Sequence, residues 1–247
     1  MLAEDRMMKI VSIVEENGSI TIAELQKELN ASESTVRRAL NSLDSKGLIT
    51  KVHGGAISKN TVFSGRDDAV NNRKEINRPD KLRIAKYAAS LIKPGDFVYI
   101  DAGTTTELMV DFIEVTDVSF VTNAISHAKL LAERGYDVYL IGGRFKAVTE
   151  AIVGEEAIIS LDKYNFTKGF FGTNGIHTEK GFLTPDIKEA MVKSKAIENC
   201  KEKYILADNS KFNKVSNVAF ADFISANVIT TGLNSAKYKK MKNIIEV

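Results

Sequence analysis

The chain has 247 residues, of which 44% are hydrophobic and 27% charged, with 34 Lys+Arg against 32 Asp+Glu. That length suits two domains, one small and one of medium size, and the composition is that of a globular protein able to bury a core. The net charge of +2 does not by itself announce a nucleic-acid partner, no apolar run approaches the ~18 residues of a membrane-spanning helix, and the acidic, amphipathic start MLAEDRMMKI does not read as a signal peptide.

The one cysteine, Cys200, cannot close an internal disulfide. This fits a reducing cytosol, so a cytoplasmic location is expected, with Cys200 a packing residue. Charge is unevenly spread. Residues 1–29 hold three Lys/Arg and six Asp/Glu, whereas residues 30–60 hold five Lys/Arg and two acids. Positive charge is therefore concentrated on the second segment, where contact with phosphates would need it.

Met7, Ile10, Val11 and Val14 recur at the spacing of one helix face, and Asn17-Gly18 ends the pattern. Thr21 and Glu24 form a capping box that opens a second helix with Ile22, Leu25 and Leu29 inward. Asn30-Ala31 makes a turn and Ser32 caps a third helix, in which Val36, Ala39, Leu40 and Leu43 form the buried face. The opposite face carries Ser34, Arg37, Arg38, Asn41, Ser42 and Ser45, and Gly47 stops the helix. A β-branched strand, Leu48–Val52, leads into the turn His53-Gly54-Gly55-Ala56, and Ile57 begins the return strand.

Three helices and a hairpin make a winged helix-turn-helix over residues 1–57. In that geometry the third helix enters the major groove and the wing runs along the backbone. An exposed Arg-Arg pair alone is usually a solvated surface. The caps, the local charge reversal and the Gly-Gly wing together turn the reading to double-stranded DNA. The candidate contacts are Ser32, Ser34, Thr35, Arg37, Arg38 and Asn41 on the helix, with Lys51, His53, Gly54 and Gly55 on the wing.

Residues 58–80 are polar, lack periodicity and read as a linker. From 81 to 247 short apolar strands alternate with helices. Strands are expected at 97–100, 118–121, 136–141, 169–172, 204–207, 227–231 and 244–247. Helices are expected at 81–92, 105–113, 125–134, 150–160, 185–201 and 235–241. The pattern argues a parallel sheet covered on both faces, whose ligands lie beyond the carboxyl ends of the strands.

Small, hydroxylated and charged residues cluster at those ends. They are Asp101, Gly103, Thr104, Thr105 and Thr106; Thr122 and Asn123; Gly142, Gly143 and Arg144; Thr173, Asn174 and Gly175; and Asp208, Ser210 and Lys211. Glu189 and Lys193 follow on a helix, as contacts for ligand oxygens or as its exposed side. A Gly-Thr-Thr-Thr turn is explained equally well by threonine capping. The five clusters together suit a phosphate joined to a polyhydroxylated carbon chain. His127 and His177 need no function. No metal-ligand spacing, nucleophile-base pattern or Walker motif is present, so neither a metal nor a cofactor is expected.

The segments S32–L40, G47-L48 and K51–A56 resemble the DNA-binding signature of the DeoR family of bacterial sugar-metabolism repressors. The resemblance continues through D101–T106, V121-T122-N123, L140–G143, G172–I176 and L206–F212, and so covers nearly the whole chain. The chain departs at Ala39, where the family has an acid after the paired arginines. The resemblance implies a DNA-binding repressor and a C-terminal ribose-phosphate-isomerase-like α/β sensor domain; a symmetric homo-oligomer (dimer or tetramer) is expected because helix-turn-helix proteins read paired half-sites. The implied effector is a phosphorylated sugar such as fructose 1-phosphate. Where related isomerases carry Asp-Gly-x-Asp, this chain has Asn174-Gly175-Ile176-His177. An amide cannot act as general base, so binding without turnover is expected. The alternative is a sugar-phosphate isomerase with a DNA-binding appendage.

Overall fold

A computed structural model describes residues 3–17, 19–58, 63–64, 70–233 and 235–247. The chain divides into a unit of Met1–Phe63 with Asn234–Lys240 and a unit of Ser64–Leu233 with Met241–Val247.

In the first unit, helices α1 (Ala3–Asn17), α2 (Ile22–Leu29) and α3 (Glu33–Ser45) pack with strands β1 (Ser19–Thr21), β2 (Ile49–Val52) and β3 (Gly55–Ser58). The expected Gly18 stop lies outside the described residues. The Thr21–Glu24 capping box forms in full and starts α2. Its hydrogen bonds from the Thr21 backbone and hydroxyl hold the Glu24 carboxyl below its usual range. Ile10, Val14, Leu25, Val36, Leu40 and Leu43 meet in one apolar core, with Ala39 only partly buried against it. Strand β1, absent from the sequence expectation, joins the wing to make a sheet of order β1-β3-β2.

Gly54 alone takes positive φ (+93°), so the two-residue turn is His53-Gly54. Gly55 is needed for a different reason: a Cβ there would stand 2.1 Å from the Ile20 carbonyl oxygen of β1. The Gly-Gly pair thus serves one turn and one close approach.

The second unit is built on a seven-stranded parallel sheet. Its strands are β4 (Phe97–Ile100), β5 (Ser119–Thr122), β6 (Asp137–Leu140), β7 (Phe166–Gly172), β8 (Cys200–Leu206), β9 (Asn227–Thr230) and β10 (Ile244–Glu246), in the order β10-β9-β8-β7-β4-β5-β6. The helices are α4 (Val70–Glu75), α5 (Arg78–Ser90), α6 (Thr104–Val110), α7 (Ile125–Glu133), α8 (Glu155–Leu161) and α9 (Ile187–Glu198). Val98, Ile100, Phe120, Phe170 and Leu206 on the sheet bury against Ile84, Ala88, Met109 and Leu131 of α5, α6 and α7. Cys200 is buried, and burial pushes its thiol up to about 12. No helix among the described residues is long and apolar enough to cross a membrane.

Three expectations change. The 58–80 stretch is not wholly linker: it holds β3's last residue, α4 and the first turn of α5, while 59–62 and 65–69 lie outside the described residues. The expected 150–160 helix is a strand, Ala151–Val153, followed by α8, because Gly154 at φ +104° breaks the chain between them. Short antiparallel strands at Gly175–His177, Gly181–Thr184 and Val218–Ala221 form a separate three-stranded sheet.

Candidate functional site

On α3 the core and the polar face are separated by the helical period. Val36, Leu40 and Leu43 are buried, while Ser32, Ser34, Arg37, Arg38 and Asn41 are exposed and Thr35 is half-buried. Ser32 caps the helix through the Thr35 amide, and its hydroxyl stands 3.1 Å from that of Ser34 and 2.9 Å from that of Thr35. Arg37 is held one turn back by Glu33 at 2.7 Å, whereas Arg38 makes no ion pair among the described residues. Lys51, His53 and Gly54 are exposed on the wing, and Gly55 is buried at its base. The Asp44 carboxylate accepts the Lys51 amide at 2.9 Å and fixes the wing to the end of α3. Sequence reading gave Asp44 no role. Its only signal was an acid near the end of a cationic helix.

The strand ends of the second unit form a buried polar network. Asp101, fully buried after β4, accepts the Gly172 amide at 3.1 Å and the Lys193 ammonium. Burial raises the Asp101 carboxyl above its ordinary value against the opposing pull of Lys193. Lys193 also donates to the Gly172 carbonyl, and Asn123 accepts the Ala102 amide at 2.8 Å. One turn before Lys193, Glu189 is buried under Lys146 (3.1 Å), Thr149 and Thr184. Glu189 and Lys193 are therefore the buried side of α9, while Lys188 is exposed.

The three threonines divide. The Thr106 hydroxyl donates to the Asp101 carbonyl at 2.7 Å and stands 3.1 Å from His127 Nε2. Burial drives His127 down to about 3, so it is a neutral group that positions this turn. Thr104 faces the Lys81 ammonium at 3.0 Å, and Thr105 is buried. Helix α6 has only seven residues, so its dipole contributes less than a longer helix would.

Asp208 is 2% exposed, accepts the Ser210 amide, and receives the Asn77 side-chain amide at 2.9 Å. Ser210 and Lys211 lie half-buried beside it. Thr122 is buried and caps the Ala124 amide. Thr173 spends its hydroxyl on the Gly175 and Leu183 carbonyls, and Asn174 accepts a long 3.4 Å bond from Thr184. Gly175 is buried.

Gly142, Gly143 and Arg144 do not join this network. All three are exposed, and Gly143 is explained by packing, since a Cβ there would meet Ile152 at 2.9 Å. Lys81 was missed. In sequence it looks like one more solvated helix lysine, yet it is 4% exposed and its ammonium is brought down to about 8, chiefly by desolvation. No group of His, Cys, Asp and Glu able to hold a metal ion occurs among the described residues.

The family model for the DeoR-like helix-turn-helix domain matches residues 6–62, and that for the DeoR C-terminal sensor domain matches residues 76–232. The chain belongs to the DeoR family. Its first unit is accordingly a DNA-binding helix-turn-helix domain and its second a DeoR sensor domain. It is 44% identical over 232 residues to the HTH-type transcriptional regulator FruR of Bacillus subtilis (strain 168), covering 94% of this chain and 92% of that one. It is 35% identical over 254 residues to the lactose phosphotransferase system repressor of Staphylococcus aureus (strain NCTC 8325 / PS 47), covering 100% and 99%. Among solved structures, ribose 5-phosphate isomerase A of Methanocaldococcus jannaschii aligns over 55% of each chain, with 19% identity and a TM-score of 0.41.

Proposed function

We propose that this DeoR-family protein is a cytoplasmic transcriptional repressor of a sugar-utilisation operon. A symmetric homo-oligomer places the exposed face of α3 in the major groove of paired operator half-sites, with the wing on the backbone. The observation that carries this reading is the clean division of α3, whose apolar side closes the core and whose other side offers Arg38, Asn41 and capping hydroxyls to solvent. The name of the S. aureus relative, a repressor of a sugar phosphotransferase system, supports the same reading. A phosphorylated sugar, fructose 1-phosphate by expectation, binds at the strand ends and prefers one state of the protein. That preference is what shifts the DNA-binding population.

The test uses DNA selected by the protein from a random pool, followed by titration with sugar phosphates. A melting-temperature rise with a phosphorylated sugar, together with a change in DNA affinity, is expected. No selectable DNA sequence, or no response to any sugar phosphate, overturns the reading.

The sensor domain binds without turnover. Asn174 supplies an amide where a general base would stand, and Glu189 is already held by Lys146, Thr149 and Thr184. A coupled assay on aldose and ketose phosphates checks this. Turnover of roughly 1 per second, within the ordinary range for enzymes, would replace the repressor reading with the isomerase one.

A further inference from the structure

Lys81 is nearly fully buried, and among the described residues it faces no carboxylate within ion-pair reach. Its ammonium has two acceptors, the Arg73 carbonyl of α4 and the Thr104 hydroxyl at 3.0 Å. An ammonium carries three donors, so one remains unassigned. The Arg73 Nε is also buried without a partner among the described residues. After desolvation, the Asp208 carboxylate acts most strongly on Lys81 and favours its charge, with Glu75 adding weakly, while Lys211 and Arg73 oppose it. Two cations, Lys81 with a third donor to place and Arg73 with a buried Nε that has no partner among the described residues, stand with a threonine hydroxyl and describe the binding place of an oxyanion.

Helix α4 is moored to this place. The Val70 amide donates to the Val148 carbonyl at 3.2 Å, Lys74 pairs with Glu107 at 2.9 Å, and Lys81 holds the Arg73 carbonyl. Two residues past α4, Asn77 in the left-handed region (φ +53°) reaches Asp208. Residues 63–75 fall between the two family matches, so α4 belongs to neither domain as the family defines them.

We propose that Lys81 and Arg73 bind the phosphoryl group of the effector, and that occupancy draws the Lys81 ammonium from the Arg73 carbonyl to the anion, so that α4 registers the ligand. This rests on the sugar-phosphate reading of the sensor domain. The exchange is favourable because an ionised oxygen is a stronger acceptor than a neutral carbonyl. It also loosens one of the bonds that hold α4, the first helix of the chain after the helix-turn-helix domain.

Hydrogen exchange read by mass spectrometry over residues 70–77 of the full-length protein tests this, with fructose 1-phosphate and inorganic phosphate as probes. The expected result is about a tenfold rise in exchange at saturating fructose 1-phosphate, in line with the loss of one charge-assisted hydrogen bond. Lys81→Met should exchange at the raised rate without ligand, show no further response, and bind at least tenfold more weakly. Lys81→Arg, which keeps a donor, should recover part of the ligand response.

A melting-temperature rise with unchanged 70–77 exchange in the natural chain overturns the proposal and leaves the sensing reading intact. That comparison needs no variant, so it stands even if Lys81→Met does not fold. A folded Lys81→Met protein as protected as the natural chain also overturns it. Absence of any melting shift across a panel of sugar phosphates overturns the sensing reading and the proposal together.

Discussion

The two units place their polar chemistry on opposite sides of their own packing. In the helix-turn-helix unit, the residues proposed to meet DNA project from the far side of a helix whose other face is the core, and most of them are exposed. In the sensor unit, Asp101, Glu189, Lys193 and Lys81 are buried, and most of their hydrogen-bonding capacity is met by neighbouring side chains or by the backbone. Function and stability can therefore be separated by substitution in the first unit and are entangled in the second.

The largest effect expected from this contrast is at Lys193. Lys193→Met leaves the Asp101 carboxylate buried without its cation, and a loss of about 3–5 kcal/mol is expected in chemical denaturation. Adding Asp101→Asn to that variant should recover part of it. A loss under about 1 kcal/mol, the ordinary result for surface charges, would break the comparison. Arg38→Ala should do the reverse. Its stability should stay within about 0.5 kcal/mol, while affinity for selected DNA falls by about 1–3 kcal/mol if Arg38 reads a base edge. A uniform loss across sequences with a shallower salt slope would make it a phosphate contact instead.

Next comes the pH response of the sensor. Lys81 loses its proton near pH 8 in the free protein, and an anion beside it would raise that value. Ligand binding then takes up a proton, so affinity should be flat below pH 8 and fall by up to about tenfold per pH unit above it. Calorimetric titration of fructose 1-phosphate at pH 7 and pH 9 checks the sign. Constant affinity, after allowing for the ligand's own titration, would remove Lys81 from the site. The smallest effect is Thr21→Ala, which deletes the capping box and should cost about 1 kcal/mol in thermal melts.

The same contrast governs how much was legible in the sequence. The face of α3 was readable because helical periodicity alone sorts Val36, Leu40 and Leu43 from Arg37, Arg38 and Asn41. The strand Phe97–Ile100 was readable because it is a short apolar run closed by a turn at each end. Ala151–Val153 was not, since three residues are too few to show a period, and a single glycine such as Gly154 does not by itself reveal a positive φ. The burial of Lys81 was invisible for a different reason. It depends on α4 and the 101–106 turn meeting over α5, a tertiary fact that no local pattern carries. Strand-end position is the only signal Arg144 carries in the sequence, and the structure leaves it exposed, outside the polar network.

Cys200 carries a practical consequence. Its sulfur is enclosed, donates to the Ala196 carbonyl at 3.1 Å, and stays protonated at any ordinary working pH. Thiolate is the species that alkylating reagents attack, so the natural chain should be inert to maleimides while folded. A single engineered thiol, His53→Cys at the tip of the wing, could then be labelled with one dye in one place. Operator engagement and effector release could be followed by fluorescence in the same cuvette, without first stripping the native cysteine.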